Sequence, residues 1–301
     1  MFKSFFINNT LVVVIVLLCV AFYTLLERKI LSYSQIRKGP NKMSLLGFLQ
    51  PLIDGLKLFL KNFFILFYTN SSFFIILPAT IFFINVSIWA FYTLTFNFNY
   101  NYLALLFLMF LFSLDVYKLF FTSFSSTNKY ATMGNFRMIN QFISYEIIFA
   151  FILFLWFSIF CSFSLVVKYF FSNYFTLFLF SMILWIIFIL MESNRTPFDL
   201  SEGESELVSG FNTEFSSISF TFLFLAEYSK ILFLCLMAAF LFTNNFIITI
   251  TIFILYAMIF LLTRSAYPRI RYDKIMHFTW TVMLPIVNIC LLTSFFYLML
   301  W

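Results

Sequence analysis

The sequence predicts an all-α integral membrane protein: eight transmembrane helices and one interfacial amphipathic helix in a single polytopic domain over residues 1–301. Three observations predict it. Hydrophobic residues make up 63% of the chain, charged residues 10%, and mean hydropathy is +1.01, far from the composition of soluble domains. Eight continuously apolar runs of 18 to 27 residues are each long enough to cross a hydrocarbon core of about 30 Å as a helix. Membrane strands alternate apolar and polar positions, which these runs do not, so a barrel is disfavoured.

The runs are 5–26, 73–96, 103–124, 143–167, 175–192, 215–241, 245–263 and 279–301. Their connections alternate in length. Residues 27–72, 125–142, 193–214 and 264–278 form connections of 46, 18, 22 and 15 residues, whereas 97–102, 168–174 and 242–244 are short turns. Fourteen of the eighteen bases lie in the long connections, and the opposite face carries only Lys3 and Lys168. The positive-inside rule therefore puts all four long connections on the side of synthesis and both termini on the far side. Lys3 precedes an apolar run as in a signal peptide. No small-residue cleavage site follows, however, and Glu27-Arg28-Lys29 reads as a stop at a membrane surface, so direct insertion is expected.

In the first connection Gly39-Pro40-Asn41 signals a turn and Pro51 suits a first helical position. Leu52, Ile53, Leu56, Phe59, Leu60 and Phe63 then recur at helical spacing, with Asp54, Lys57 and Lys61 on the other face. Residues 51–61 thus read as an amphipathic helix lying on the membrane, either a plain surface anchor or a gate beside an opening for a lipid-soluble ligand. The second connection leads to Glu146, an acid at the mouth of a long apolar run. Two readings stay open for it, a functional intramembrane carboxylate and a helix-end acid favoured by the macrodipole. The last connection, Arg264 to Lys274, is basic and aromatic, serving topology with Arg269 and Arg271 available for a partner or anionic lipid headgroups. Nucleic acid is not an expected partner for fifteen residues pinned between two spans.

The third connection is the most informative. Asp199, Glu202, Glu204, Glu206 and Glu214 lie in 193–214 beside Arg195, with Glu192 just before and Glu227 in the following run. These are seven of only twelve acids in the chain. Crowded carboxylates repel one another and resist ionising in low dielectric, so such a cluster points to groups that hold and release protons as a coupled set. Ser201 and Glu204 also fit a capping box, which accounts for one acid and leaves the others. Lys118 stands three residues after Asp115, where a local ion pair is the leading reading; Lys230 stands three after Glu227, where such a pair rivals a proton role.

Cys19, Cys161, Cys235 and Cys290 lie singly in four different spans, and His277 is the only histidine. The ligands of an iron–sulfur cluster or a bis-histidine haem are missing, so electrons for any redox chemistry come from a partner. Phe (51) and Tyr (16) far outnumber Gly (6) and Pro (6). Phe, Tyr, Ile, Asn and Lys have codons rich in A and T, which points to an AT-rich organellar gene.

In order along the chain, Glu27 to Leu31, Arg37-Lys38-Gly39-Pro40-Asn41, Gln50 to Phe59, Ile143-Ser144-Tyr145-Glu146, Asn194 to Leu200 with Gly210 to Asn212, Ala226-Glu227-Tyr228 and Tyr267 to Asp273 resemble subunit 1 of respiratory complex I, the NADH:ubiquinone oxidoreductase, in its mitochondrially encoded form. The resemblance implies a multi-pass protein of the mitochondrial inner membrane with both termini towards the intermembrane space. It implies a subunit that forms the membrane-side quinone opening and chamber beneath peripheral-arm subunits, next to small membrane-arm subunits. Ubiquinone is then the substrate, this chain binds no cofactor, and electrons arrive from an iron–sulfur cluster in a partner. Carried over by position, the proton route falls at Glu146, Glu192, Glu202, Glu204, Glu206, Glu214 and Glu227, and the quinone opening and chamber at Arg28, Arg37, Asp54, Leu56, Phe59, Arg195, Asp199, Phe224 and Arg271. The chain departs from the pattern at Asn62, where an acid is usual, at Ser32, where a glycine is usual, and at Asp115 and Lys118, where uncharged residues are usual. Two rival readings are a quinone-independent membrane-bound hydrogenase subunit and a self-contained cation/proton antiporter. An antiporter places its acids at midplane in repeated halves, and here they gather at one face.

Overall fold

The computed structural model describes residues 2–62, 71–97, 104–125, 128–160, 175–199, 214–243 and 246–299. Its elements, in order, are α1 (Phe2–Ser34), a short 3-10 turn (Leu45–Gly47), α2 (Gln50–Leu60), α3 (Ser71–Asn97), α4 (Ala104–Ser125), α5 (Lys129–Phe160), α6 (Phe175–Glu192), α7 (Ser217–Phe242), α8 (Phe246–Ala266), α9 (Tyr272–His277), a π-helical stretch (Phe278–Met283) and α10 (Leu284–Met299). No strand occurs among the described residues. Among the described residues, five helices are long and apolar enough to cross a membrane: Ile7–Ser34, Lys129–Trp156, Ser217–Phe242, Phe246–Ala266 and the continuous Tyr272–Phe296. Phe73–Trp89 and Leu179–Glu192 are shorter apolar helices.

Three boundaries differ from the sequence expectation. Helix α1 continues through Ser34, so Glu27, Arg28 and Lys29 ride on its last turns and do not end it. Nothing in 27–34 breaks a helix, since neither Gly nor Pro occurs there. Helix α5 begins at Lys129, inside what reads as a connection over 125–142. Its polar residues Asn135 and Gln141 are fully buried, so this turn-rich composition is helix interior and not loop. Glu146 consequently stands eighteenth in α5, far from the helix start, and the macrodipole account of it does not hold. The third difference is at the end, where the last helix starts at Tyr272 inside the connection assigned to 264–278. The short turn at 168–174 and the Ser201–Glu204 capping box lie outside the described residues, as do most of 97–102 and Asn244 of 242–244.

Helix α7 is the hub. The apolar window of its span is 72% buried, against 22% for α1 and for α8, which leaves most of those two windows uncovered by this chain. It packs on α1, α2, α3, α6 and α8. Helices in lipid gain little from apolar burial, so close packing and interhelical hydrogen bonds hold them together. Two indoles supply such bonds to α7: Trp89 Nε1 donates to the Ser229 carbonyl and Trp185 Nε1 to the Leu234 carbonyl, both at 3.2 Å. Phe149 stacks on Phe188 at 4.8 Å between α5 and α6, and the Ser158 and Ser294 hydroxyls meet at 2.6 Å between α5 and α10. The aromatic excess of the sequence is thus the packing material of the core.

Candidate functional site

The amphipathic α2 lies beside α1 and α7, and the space between the three is a cavity of about 690 Å³. That is within the range of small-molecule sites. Its wall is mostly apolar, with Leu52, Leu56 and Phe59 from α2 and Phe220, Phe224 and Leu225 from α7. Pro51 sits in the first turn of α2 and is buried; Leu52, Leu56 and Phe59 keep an exposed side as well as a cavity side. The opening is held by charge: Arg28 Nη1 meets Asp54 Oδ2 at 2.8 Å, and Gln50 Nε2 donates to Asp54 Oδ1 at 2.8 Å. Both partners of that ion pair are about two-fifths exposed, so it contributes on the order of 0.5 kcal/mol.

Deeper in the wall three helices converge on one carboxylate. Glu27 on α1 is 3% exposed. It accepts a 2.6 Å hydrogen bond from the Tyr228 hydroxyl on α7 and pairs with Arg264 at the end of α8. Tyr23 packs edge-on against Tyr228 at 6.2 Å. Arg195 lies over the rings of Tyr228 and Phe224, at 5.2 and 5.8 Å, and its Nη2 donates to Glu227 Oε2 at 2.9 Å. A buried guanidinium sandwiched in this way keeps its charge while its partner acid is fixed in place.

Glu227 also borders a second, smaller cavity of about 70 Å³, lined among others by Asn85, Asp115, Lys118, Glu192 and Lys230. Lys230 Nζ is 2.6 Å from Glu192 Oε1 and 2.8 Å from Asp115 Oδ2. Lys118 pairs with the other oxygen of Asp115. The ammonium of Lys230 also lies over the rings of Phe112 and Phe142, at 5.1 and 4.9 Å. All four charged side chains are under one-tenth exposed. Two acids and two bases balance, which is how charges are tolerated away from water. Glu146 is half-buried on α5 and within electrostatic reach of Lys230 and Asp115. The expected local pair of Asp115 with Lys118 is present, but Asp115 is shared with Lys230. The local pair of Glu227 with Lys230 is replaced: Glu227 turns to Arg195, and Lys230 to the acids of α4 and α6.

The start of the acidic segment is pinned to the turn after α8. Thr196 Oγ1 donates to the Arg264 carbonyl at 3.2 Å, Ile270 N to the Pro197 carbonyl at 3.0 Å, and Arg269 pairs with Asp199 at 3.4 Å. At the segment's far end the buried Glu214 accepts the Asn128 N–H at 3.0 Å, just before α5 begins. Glu202, Glu204 and Glu206 lie outside the described residues. Of the residues assigned to a quinone opening and chamber, Arg28, Asp54, Leu56, Phe59, Arg195 and Phe224 line the large cavity. Arg37 is exposed, Arg271 is 80% exposed and pairs with Asp273, and Asp199 sits in the pinned segment, so these three are not part of that lining. Among the described residues no group of three His, Cys, Asp or Glu side chains is placed to hold a metal ion.

Comparison with known proteins decides the family. Residues 7–295 match the model of the NADH dehydrogenase family. The chain belongs to the NADH dehydrogenase family. It is 40% identical over 299 residues to the NADH-ubiquinone oxidoreductase chain 1 of Apis mellifera ligustica, covering 96% of each chain. The Aedes aegypti protein of the same name is 40% identical over 285 residues, covering 93% of this chain and 91% of its own. That of Lampetra fluviatilis is 40% identical over 302 residues, covering 95% and 94%. In this family member, sequence reasoning did not single out Glu27, Tyr228 or Arg264 as one site. Glu27 reads as a surface stop, and only its place on a helix that continues to Ser34 buries it.

Proposed function

We propose that this chain is a core membrane subunit of NADH:ubiquinone oxidoreductase. It guides a lipid-soluble quinone to the reduction site and begins the acidic route that couples quinone reduction to proton translocation. In this reading the chain crosses the mitochondrial inner membrane eight times, with both termini towards the intermembrane space and the long connections under the peripheral arm. That arm supplies the electrons, from an iron–sulfur cluster that it holds.

One observation carries the proposal: the contact of Arg195 with Glu227. Arg195 lines the large apolar cavity and Glu227 lines the small charged one, so a single 2.9 Å ion pair joins the two. Reducing a quinone to a quinol takes up two electrons and two protons. Negative charge that develops near the large cavity attracts the Arg195 guanidinium and loosens its hold on Glu227. Glu227 then gains a proton more readily, and the change is felt by Glu192 and Glu146 through Lys230 and Asp115. The route needs no redox group in this chain.

The test is a photoreactive quinone analogue added to the assembled complex in its membrane. Labelling at Leu56, Phe59 or Phe224, suppressed by excess ubiquinone, supports the reading. Labelling confined to other subunits, or unaffected by ubiquinone, overturns the assignment of this cavity. Cation transport by the isolated chain in liposomes would instead favour the antiporter reading.

A further inference from the structure

The quartet of Asp115, Lys118, Glu192 and Lys230 is not accounted for by a simple row of acids. Two of its members, Asp115 and Lys118, stand where the resemblance leads one to expect uncharged residues. Lys230 bridges acids from two other helices at 2.6 and 2.8 Å, and Lys118 holds the second oxygen of one of them. Asn85 on α3, 5% exposed, borders the same cavity, and its side-chain oxygen meets no hydrogen-bond donor among the described residues. The wall of this cavity of about 70 Å³ is largely apolar, with Ile81, Phe142 and Leu223 among its residues, and it gathers the charged ends of the quartet with the Asn85 amide and Glu227 into one enclosed space large enough for water.

We propose that Lys230 is a positioning residue that sets the proton occupancy of Glu192, acting as a charge switch with Asp115 and Lys118 as its counterweight; this rests on the proton route proposed above. With Glu192 ionised, the quartet is balanced and Lys230 bridges α4, α6 and α7. When Glu192 takes a proton its hold on the ammonium weakens, and Lys230 falls back on Asp115, which Lys118 already shares. The quartet then carries one surplus positive charge. That charge faces Glu146 on α5 and Glu227 on α7, with Tyr145 of α5 also beside Glu192. It favours ionisation of those neighbours, so a proton arriving at Glu192 promotes release of one from the next acid.

The experiment measures ubiquinone reduction, its pH dependence and the proton-to-electron ratio in the assembled complex, for Lys230→Met, Asp115→Asn and the double variant. Assembly is checked by native gel. Lys230→Met leaves two acids to one base, and Asp115→Asn leaves one acid to two bases. The pH at half-maximal turnover should move in opposite senses in the two, each by about one unit, and turnover should fall about tenfold at the wild-type optimum. The double variant leaves Glu192 and Lys118, one acid and one base, so its pH midpoint should return towards the wild-type value while turnover stays low, because the ammonium that answers Glu192 is gone. Equal pH profiles in all variants, or wild-type turnover in the double variant, would overturn the switch. If Lys230→Met does not accumulate, Asp115→Asn alone carries the test: its pH midpoint should move down by about one unit, and an unmoved profile would overturn the switch. Glu192→Gln separates the two levels of the argument. Normal quinone reduction and pumping in Glu192→Gln would sink the proton route itself, whereas a defect there with unaltered Lys230 variants sinks the switch alone.

Discussion

Replacing Tyr228 by Phe removes one oxygen from the wall of the large cavity and keeps the ring. The packing of that ring against Tyr23 and beneath Arg195 is retained, so the change isolates the 2.6 Å bond to Glu27. A hydrogen bond to a charged group contributes about 1.5–3 kcal/mol, and its acceptor here is 3% exposed, so a value of about 2 kcal/mol is expected. At about 1.4 kcal/mol per factor of ten, local opening of α1 against α7 becomes about thirty times more frequent. Amide hydrogen exchange over residues 25–31, followed in the assembled complex, should accelerate by that factor, while exchange in α10, which lies away from the bond, stays as it was. Glu27→Gln should be worse, because it leaves Arg264 facing no charge in a largely buried site; breaking such a pair costs about 3–5 kcal/mol. Unchanged exchange at 25–31 in Tyr228→Phe, or a Glu27→Gln variant milder than it, would refute the view that Glu27 fastens the cavity wall.

Widening Leu56 or Phe59 to Trp should slow ubiquinone reduction with electron transfer from NADH to a water-soluble acceptor intact; equal loss of both would mean failed assembly. Glu206→Gln and Glu227→Gln should impair turnover and proton pumping in complexes that still assemble, which paired native gels and pumping assays would read. Asp54→Asn, which breaks an exposed ion pair with Arg28, should change stability by only about 0.5 kcal/mol and lose even that at high salt, as a melting series in rising salt would show. Residues 193–214 should resist protease in the intact complex and become cleavable when the peripheral arm is stripped, as mass spectrometry of the fragments would record.

Hydropathy made the class and most spans legible because apolar runs near 20 residues have few other uses. The amphipathic α2 was legible too, since Leu52, Leu56 and Phe59 repeat on one face and the structure puts that face on the cavity. The extents of α1 and α5 were not. Polar helix interiors such as Asn135 and Gln141 look like loop until neighbouring helices bury them. Ion-pair partners were the least legible of all. Spacing of three on one helix suggested Glu227 with Lys230, and tertiary neighbours 32 and 38 positions away took both groups instead. A rule for isolated helices loses to any partner with better geometry from another helix.

The order in which the quartet's charges occur along the chain bears on how the membrane part is made. A lone charge at the centre of a helix costs about 2.5–3.5 kcal/mol to insert. Asp115 carries its complement three residues on, so α4 enters already neutral. Glu192 is the last residue of α6, at the helix end and not at its centre. Only Lys230, fourteenth of the twenty-six residues of α7, comes to mid-helix with partners already waiting. Thirty-eight residues separate Glu192 from Lys230, which ribosomes supply in about 2–8 seconds. If helices enter in the order of synthesis, α6 and α7 have only seconds to wait for one another, and the pair leaves the insertion machinery with Lys230 already matched by Glu192.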